Sequence, residues 1–200
     1  MIKSYEVIFY KKCVMRSVFS LMMIVLFFSC SSRTKETYNM IEMMRTSPVT
    51  IPYDQMNSWQ NDSLWETPPW KNSKLVLVHY IDSTMCSSCY LRKICMIEST
   101  FKLEEKTNNE FRNLYIINPD KKAKNTLAEE YSIGLIPRTI FVDTANVFLQ
   151  VNPHIPLEKM YHTFLIDENN CVILVGDPYS NEKLMDMLLS IIENRLGIKV

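Results

Sequence analysis

Apolar and polar positions become regular from residue 74 onward. KLVLVHYI (74–81) is a continuous apolar run with β-branched content, which is typical of a strand buried on both faces. Residues 89–106 place apolar side chains at helical spacing, with Lys and Glu between them. These apolar positions are Leu91, Ile94, Ile97 and Phe101. The pattern predicts a buried strand followed by an amphipathic helix.

The same two patterns then alternate. NLYIIN (113–118) predicts a strand, and KKAKNTLAEEYS (121–132) predicts a helix. RTIFVD (138–143) predicts a further strand, and ANVFLQVN (145–152) predicts a short helix. Strands that alternate with helices indicate a mixed sheet that is covered on both faces.

The C-terminal part predicts a hairpin and a helix. TFLIDENNCVILVGD (163–177) carries a turn signal at Asp167–Asn170 between two apolar runs. Residues 180–197 form an amphipathic pattern in which Ser180 is the predicted N-cap and Gly197 the C-terminal stop. The predicted inner face is Leu184, Met187, Leu188 and Ile191. The hairpin adds an antiparallel edge pair to the sheet.

The segment before residue 74 is polar and contains several prolines. Residues 31–39 read as a tether, and SPVTIPYDQ (47–55) could hold a short edge strand, where proline is tolerated. SWQNDSLWETPPWKNS (58–73) contains all three tryptophans. We expect these rings to pack on the domain, and a partner-binding aromatic patch is the alternative.

The first 29 residues have the features of a signal peptide. A basic region containing Lys11, Lys12 and Arg16 flanks the apolar run 17–28, which is shorter than the roughly 20 residues that span a bilayer. FFSC (27–30) resembles a bacterial lipobox, although Phe27 stands where a Leu-like residue is usual. An uncleaved signal anchor is the alternative, and a start at Met15 would give a compact signal.

Together with the patterns above, these signal features predict three regions in the chain. They are a lipoprotein signal peptide at 1–29, a tether and irregular segment at 30–73, and a folded domain at 74–200. Cys30 would carry the lipid and anchor the chain to a membrane of the bacterial envelope. Ser31 and Ser32 provide no acidic retention signal, which favours the outer membrane over the inner one and a periplasm-facing domain.

Composition removes several classes of function. The formal net charge is zero, so no basic excess indicates nucleic-acid binding. Only three glycines occur, and they are far apart, so neither a dinucleotide-binding G-x-G-x-x-G nor a P-loop can form. No nucleotide cofactor is expected.

Four of the six cysteines remain after processing at Cys30 and lipidation of that residue. Two of them form a C-x-x-C pair, Cys86 and Cys89, directly after the first predicted strand. Outside the cytoplasmic membrane such thiols can oxidise. Cys95 is predicted to lie in the core as a small apolar residue, and Cys171 to be a free thiol at the hairpin.

Residues 74–197 resemble thioredoxin-fold proteins of the redoxin, or TlpA-like, branch of envelope lipoproteins. Strand, C-x-x-C and helix in 74–94 carry the resemblance, together with the hairpin HTFLIDENNCVILVGDP (162–178). IPRTIFVDTANVFLQVN (136–152) resembles the strand and helix that this branch inserts. The resemblance implies a thioredoxin-like three-layer fold, with a mixed central sheet and helices on both faces, and disulfide exchange with protein thiols or disulfides.

In such a fold Cys86 is the nucleophile and Cys89 the resolving cysteine. A helix N-terminus carries about half a positive charge and unpaired N–H groups, and both favour a thiolate. We therefore expect the pKa of the exposed Cys86 thiol to fall below its usual value. Cys89, one turn further and more buried, would release the mixed disulfide.

The sequence departs from the family at two places. The residue expected before the hairpin strand is a cis-proline, but Tyr161, His162 and Thr163 stand there; Pro137 is the rival candidate. The buried acid that thioredoxin places six residues before its first cysteine is Tyr80 here.

Neighbouring residues offer substitutes for the missing acid. His79 and Asp82 could handle protons, although His79 could equally be a core histidine satisfied by backbone. His162 would face the dithiol and tune Cys86. A catalytically silent binding module on a lipid anchor is the alternative function. A copper or zinc carrier using Cys86, Cys89 and His162 is a weaker one, and no resident metal is expected.

Overall fold

The computed structural model describes residues 34–58, 68, 70–119, 127–129, 134 and 140–199. The chain divides into two compact units, residues 1–42 and residues 43–200. Residues 34–42 of the first unit are helical. The second unit contains the sheet and the C-x-x-C pair, and it begins before the predicted domain start at residue 74.

Six strands of the described residues form one mixed sheet. They are β1 (Asn57–Ser58), β2 (Leu75–Ile81), β3 (Phe111–Ile117), β4 (Ile140–Val142), β5 (Thr163–Asp167) and β6 (Val172–Val175). Their order across the sheet is β1-β4-β3-β2-β5-β6. Strands β2, β3 and β4 are mutually parallel, whereas β1, β5 and β6 pair antiparallel with their neighbours. The strands predicted at 74–81, 113–118 and 138–143 and the C-terminal hairpin are confirmed, with small differences in their ends.

Besides the helical residues 34–44 and 127–129, four α-helices lie within the described ranges. They are α1 (Ser87–Phe101), α2 (Leu103–Lys106), α3 (Val147–Val151) and α4 (Glu182–Leu196). The single helix predicted over 89–106 is interrupted at Lys102, whose left-handed backbone (φ 51°) caps α1 through its N–H on the Glu98 carbonyl, 2.7 Å away. Of the helix predicted over 121–132, only 127–129 are described, and these residues are helical.

Strand β2 lies at the centre of three layers because both of its faces are covered. Every residue of β2 is buried. Leu75 and Leu77 share one core cluster with residues of α1 and α4, including Leu91 and Leu188. On the opposite face Tyr80 stacks on Phe148 of α3, with ring centroids 5.3 Å apart. Helices therefore cover both faces, as predicted.

Helix α4 differs from the prediction in its start and in its buried face. Asn181, not Ser180, is the N-cap, and its Oδ1 accepts from the Leu184 N–H at 3.2 Å. The buried positions are Met185, Leu188 and Ile192, whereas Met187 is 51% exposed. One residue turns a helix by about 100°, so a small shift of the inner face exposes Met187. Gly197 adopts the predicted left-handed C-cap with φ 69°.

The edge strand lies later than predicted. Residues 47–52 form no strand, and β1 occupies 57–58 instead. The backbone of Thr50 is held by the buried side chain of Asn152, which accepts from its N–H and donates to its carbonyl at 2.7 Å each. A side-chain amide thus replaces the strand pairing that Pro48 and Pro52 disfavour.

The aromatic segment is described only in part. The Trp70 ring packs edge-on against Tyr53 and Phe141, with centroid distances of 6.0 and 5.5 Å. This confirms packing on the domain for Trp70, whereas Trp59 and Trp65 lie outside the described residues.

The membrane predictions also concern residues that are not described. The predicted signal peptide and Cys30 fall within 1–33. Across the described ranges, no helix combines the length and apolar character that crossing a bilayer requires.

Candidate redox site

Cys86 lies where the central strand gives way to helix α1. Strand β2 ends at Ile81, and Asp82 then closes a turn by accepting from the N–H and Oγ1 of Thr84 at 2.7 and 2.5 Å. Cys86 is the N-cap residue of α1, and its carbonyl accepts from the Tyr90 N–H at 3.1 Å. The sequence therefore places the first cysteine at a helix N-terminus, as predicted.

Cys86 and Cys89 form a disulfide, with Cα atoms 5.4 Å apart. Both residues are exposed. The burial expected for Cys89 is therefore not observed. Helix α1 buries Ser87, Leu91 and Ile94, and Cys89 projects away from that face because it lies half a turn from Ser87. A partner can therefore reach either sulfur.

The helix N-terminus provides the electrostatic setting of Cys86. Helix α1 has fifteen residues, long enough for its aligned peptide dipoles to place partial positive charge at its first turn. The first N–H groups of a helix have no intrahelical acceptor. The helix N-terminus therefore favours developing negative charge on the Cys86 sulfur. The Ser88 hydroxyl lies 3.8 Å from Sγ.

His79 is completely buried beneath α1, and side chains satisfy both of its ring nitrogens. Nε2 lies 3.1 Å from Asn113 Oδ1, and Nδ1 lies 2.9 Å from the Tyr90 hydroxyl. Asn113 directs its Nδ2 at Glu104, 3.3 Å away, so its Oδ1 must be the acceptor for His79. Nε2 thus carries the proton, and the Tyr90 hydroxyl donates to Nδ1. Burial lowers the pKa of His79 to about 4.

His79 is therefore a core histidine, but one satisfied by side chains rather than by backbone. Thr163 extends the chain of hydrogen bonds, since its Oγ1 lies 3.1 Å from the Tyr90 oxygen. Because the Tyr90 hydroxyl already donates its hydrogen to His79, the Thr163 hydroxyl is the donor in its contact with the Tyr90 oxygen. The network joins β2, α1 and the first residue of β5, and Tyr90 is the residue next to Cys89.

The other end of this network contains a buried carboxyl group. The Tyr179 hydroxyl lies 3.0 Å from Asn113 Oδ1 and 3.1 Å from Glu98 Oε2. A hydroxyl has one proton and cannot donate to both acceptors. Burial, and then the charge of Glu104, raise the pKa of Glu98, while hydrogen bonds from Tyr179 and two backbone N–H groups oppose this rise. Protonation of Glu98, which its raised pKa favours, would give the cluster a second hydrogen.

Tyr80 occupies the place of the expected acid but faces away from this network. Its hydroxyl donates to Asn146 Oδ1, and its ring meets His162 edge-on, with centroids 5.1 Å apart. Burial raises the pKa of Tyr80 to about 12. The phenol therefore stays protonated at neutral pH.

Asp82 and His162 meet beside the turn that leads to Cys86. His162 Nδ1 is 3.6 Å from Asp82 Oδ2, and Nε2 is 3.2 Å from the Pro156 carbonyl. Burial lowers the pKa of His162, partly opposed by the charge of Asp82. Partial burial alone would raise the pKa of Asp82, but hydrogen bonds from Thr84 and attraction to Lys159 and His162 hold it below its usual value.

The two remaining described cysteines are not in disulfides. Cys95 is half-buried rather than in the core, because it flanks the inward positions Leu91 and Ile94. Burial, and then the charge of Glu98, raise the pKa of its thiol. Cys171 lies at the hairpin, as predicted, and is also half-buried.

Candidate metal ligands do not cluster. Within the described ranges, no group of three or more His, Cys, Asp or Glu side chains could hold a metal ion. Pro137, the rival position for the cis-proline, lies outside the described residues.

The fold is similar to solved structures of thioredoxin-like proteins. A thioredoxin-like protein from Porphyromonas gingivalis is 10% identical, with 74% of this chain and 93% of that chain covered and a TM-score of 0.48. A domain of a possible thiol-disulfide isomerase from Cytophaga hutchinsonii is 14% identical, with coverage of 75% and 98% and a TM-score of 0.48. A thioredoxin-like protein from Bacteroides caccae is 12% identical over 78% of this chain and 54% of that chain, with a TM-score of 0.47. The match therefore spans about half the length of the Bacteroides caccae protein. No protein-family model and no curated protein matches the sequence.

Sequence reasoning missed the partners of His79. Tyr90, Asn113 and Tyr179 lie on three different elements and share no motif. One signal was present, because a histidine inside the apolar run 74–81 must find hydrogen-bonding partners when it is buried.

Proposed function

We propose that this chain is a thiol–disulfide oxidoreductase of the cell envelope, with Cys86 as the nucleophile and Cys89 as the resolving cysteine. The observation that carries the proposal is an exposed Cys86–Cys89 disulfide at the N-terminus of a long helix, directly after the central strand. A structural disulfide is usually shielded, whereas an exposed and short-range one is accessible to exchange.

In the reducing direction the Cys86 thiolate attacks one sulfur of a substrate disulfide. A bond forms between Cys86 Sγ and that sulfur, and the other substrate sulfur leaves as a thiolate with the electron pair. Cys89 Sγ, as a thiolate, then attacks Cys86 Sγ, which regenerates the disulfide and releases the second substrate thiolate. Running the steps backward oxidises a substrate dithiol, so the two exposed sulfurs support either direction.

The substrates that fit this site are protein thiols or disulfides. Cys86 and Cys89 are both exposed residues, and they stand at the N-cap and in the first turn of α1. The chemistry uses the two sulfurs alone and needs no cofactor. A large partner can therefore present its own disulfide to Cys86.

The location of the protein is proposed from the sequence. The signal-like residues 1–29 and the lipobox-like FFSC (27–30) favour export and lipid attachment at Cys30. Ser31 and Ser32 favour the outer membrane, with the domain facing the periplasm. Release of the chain from membranes by Cys30→Ser would support this anchor, and unchanged membrane association would contradict it.

Reduction of insulin disulfides by purified protein, with dithiothreitol as electron donor, tests the activity. We expect Cys86→Ser to lower the protein-dependent rate by about 100-fold or more, because the remaining Cys89 can no longer close the Cys86–Cys89 disulfide that completes the exchange. Cys171→Ser is the matched control, since it removes an unpaired thiol far along the chain, and it should leave the rate unchanged.

The outcomes separate the two functions under consideration. An unchanged rate in Cys86→Ser contradicts the proposed nucleophile. A wild-type protein that folds but reduces no disulfide favours the binding module, for which the absence of a proline at His162 is the supporting observation.

A further inference from the structure

His162 has one ring nitrogen whose role is fixed and one that lacks a hydrogen bond. The side chain is buried, and its Nε2 lies 3.2 Å from the Pro156 carbonyl oxygen. A carbonyl oxygen can only accept, so Nε2 carries the proton. In the neutral ring Nδ1 is then a bare lone pair.

That lone pair faces a carboxylate. Nδ1 lies 3.6 Å from Asp82 Oδ2 and has no hydrogen-bond partner among the described residues. The other Asp82 oxygen is already used, because Oδ1 accepts twice from Thr84. Two acceptors therefore point at each other, and a single added proton on Nδ1 would turn this contact into a charge-assisted hydrogen bond.

The pair belongs to the loop that carries the nucleophile. Asp82 is four residues before Cys86. The segment that contains His162 contacts the same loop a second time, since Lys159 Nζ lies 3.4 Å from the Thr84 carbonyl. The Asp82 side chain is 19% exposed, which gives solvent protons access to the pair.

Four groups face His162 from the elements around it. Asp82 lies on the loop after β2, Glu158 and Lys159 precede the histidine in its own segment, and Tyr80 of β2 meets the ring edge-on. The phenol of Tyr80 is neutral at physiological pH, and Glu158 and Lys159 carry opposite charges. Of these four groups, Asp82 alone both carries a full charge and contacts Nδ1, at 3.6 Å.

We propose that Asp82 and His162 form a proton-accepting pair that takes up a proton as the Cys86 thiol ionises. This inference rests on the proposed function. The S–H bond of Cys86 breaks, its electron pair stays on the sulfur, and the proton passes through solvent to Nδ1, where Asp82 holds it. When the substrate's leaving thiolate departs, this proton passes from Nδ1 through solvent to that sulfur.

The pair then controls ionisation of Cys86 through charge. With the proton, Asp82 and His162 are together neutral. Without it they carry one negative charge, which opposes a negative charge on the sulfur of Cys86, four residues after Asp82 in the same loop. Coupling between two protonation sites is reciprocal, so the charge state of the pair must alter the pKa of Cys86. Substitution of Asp82 and substitution of His162 are expected to shift the pKa of Cys86 in opposite directions.

Alkylation of Cys86 by iodoacetamide as a function of pH tests the proposal in the full-length protein, in a Cys89→Ser background. Mass spectrometry of the peptide that contains Cys86 separates it from the other thiols. Asp82→Asn removes the negative charge and should lower the pKa of Cys86. His162→Gln keeps a donor for the Pro156 carbonyl but leaves Asp82 permanently uncompensated, and it should raise that pKa.

Opposite shifts, each of about one unit, support the pair, because a merely structural disturbance would not move the pKa in opposite directions. Glu158→Gln is the control: it removes an exposed charge that does not contact Nδ1, and it should shift the pKa much less. Shifts in the same direction, or none in both variants, overturn the proposal.

The insulin assay and the pKa measurements test the proposed function and the proton-accepting pair independently. Opposite shifts in a protein that reduces no insulin disulfide retain the proton-accepting pair and reject the oxidoreductase. Insulin reduction by the wild-type protein, without opposite pKa shifts in the two variants, supports the oxidoreductase and rejects the proton-accepting pair.

Discussion

Two buried histidines, His79 within the central strand and His162 just before the neighbouring strand β5, differ in the groups that their ring nitrogens contact. His79 is 0% exposed, with one nitrogen on Asn113 and the other on Tyr90. His162 is 2% exposed, yet among the described residues only its Nε2 has a hydrogen-bond partner, while Nδ1 faces Asp82. Burial is nearly the same, so the difference in environment comes from hydrogen bonding.

Because of this difference in hydrogen bonding, we assign His79 to the stability of the fold and His162 to the reactivity of the thiol. A polar network whose members are all satisfied fixes the packing of the elements it joins. The His79 network does this for α1, β2, β3 and β5, and its histidine has no free position for a proton. His162 retains one position, and it lies beside the loop of the nucleophile. We therefore expect changes at His79 to act on folding and changes at His162 to act on the thiol.

The largest expected effect is loss of stability in His79→Leu. The substitution removes two buried hydrogen bonds and leaves their partners less satisfied, which should lower the free energy of unfolding by about 2–4 kcal/mol. His162→Gln, which keeps the bond to Pro156, should lower it by less than about 1 kcal/mol. Urea unfolding at pH 7 measures both. Equal losses in the two variants would remove the contrast between the histidines.

The pH dependence of stability sharpens the same contrast. The pKa of His79 is about 4 in the folded protein and 6.5 when unfolded, so the unfolded state binds the proton more tightly. This neutral histidine contributes stability that is present above pH 6.5 and lost as the pH falls through 4, about 3 kcal/mol by pH 4. Urea unfolding at pH 7 and pH 4 should show a smaller loss in His79→Leu than in wild type. A loss of the same size in that variant would contradict the assignment.

A double-mutant cycle tests whether the network couples α1 to β5. Tyr90→Phe and Thr163→Val remove the two hydroxyl groups that meet at 3.1 Å. Each should lower the free energy of unfolding, and the double variant should lose about 1 kcal/mol less than the sum of the two. Urea unfolding provides the values. Strictly additive losses would show that the contact contributes nothing to stability.

The smallest expected effect concerns the carboxyl group at the far end of the network. Burial raises the pKa of Glu98, so its contribution to stability is present at low pH and falls as the pH rises through the folded value. Glu98→Gln keeps an acceptor and adds a donor, and it should raise the unfolding midpoint at pH 7. The gain should disappear near pH 4, where wild-type Glu98 is protonated. Thermal unfolding at the two pH values checks this, and a gain of equal size at both would contradict it.

Local patterns were enough to predict the scaffold. The apolar run 74–81, the helical spacing after it and the turn at Asp167–Asn170 each depend on neighbouring residues. The strand and the turn are confirmed, and the helix is confirmed up to Phe101. The position of Cys86 at the start of α1 follows from the same local sequence of strand, C-x-x-C pair and helix.

Features that depend on tertiary contacts could not be predicted in this way. The buried face of α4 was misplaced because its rim positions Leu184 and Ile191 are as apolar as the buried Met185 and Ile192. The exposure of Cys89 follows from which face of α1 meets the sheet. The orphan Nδ1 of His162 requires the position of the Pro156 carbonyl, which no pattern of side chains encodes.

A redox titration of the Cys86–Cys89 pair against glutathione tests the central claim most directly. Exchange-active pairs of this kind have reduction potentials of about −270 to −120 mV, whereas structural disulfides lie below about −300 mV. We predict reversible interconversion of the pair within the first range, followed by mass spectrometry after trapping with an alkylating reagent. A pair that stays oxidised until the potential falls below about −300 mV would contradict the claim and leave only the scaffold.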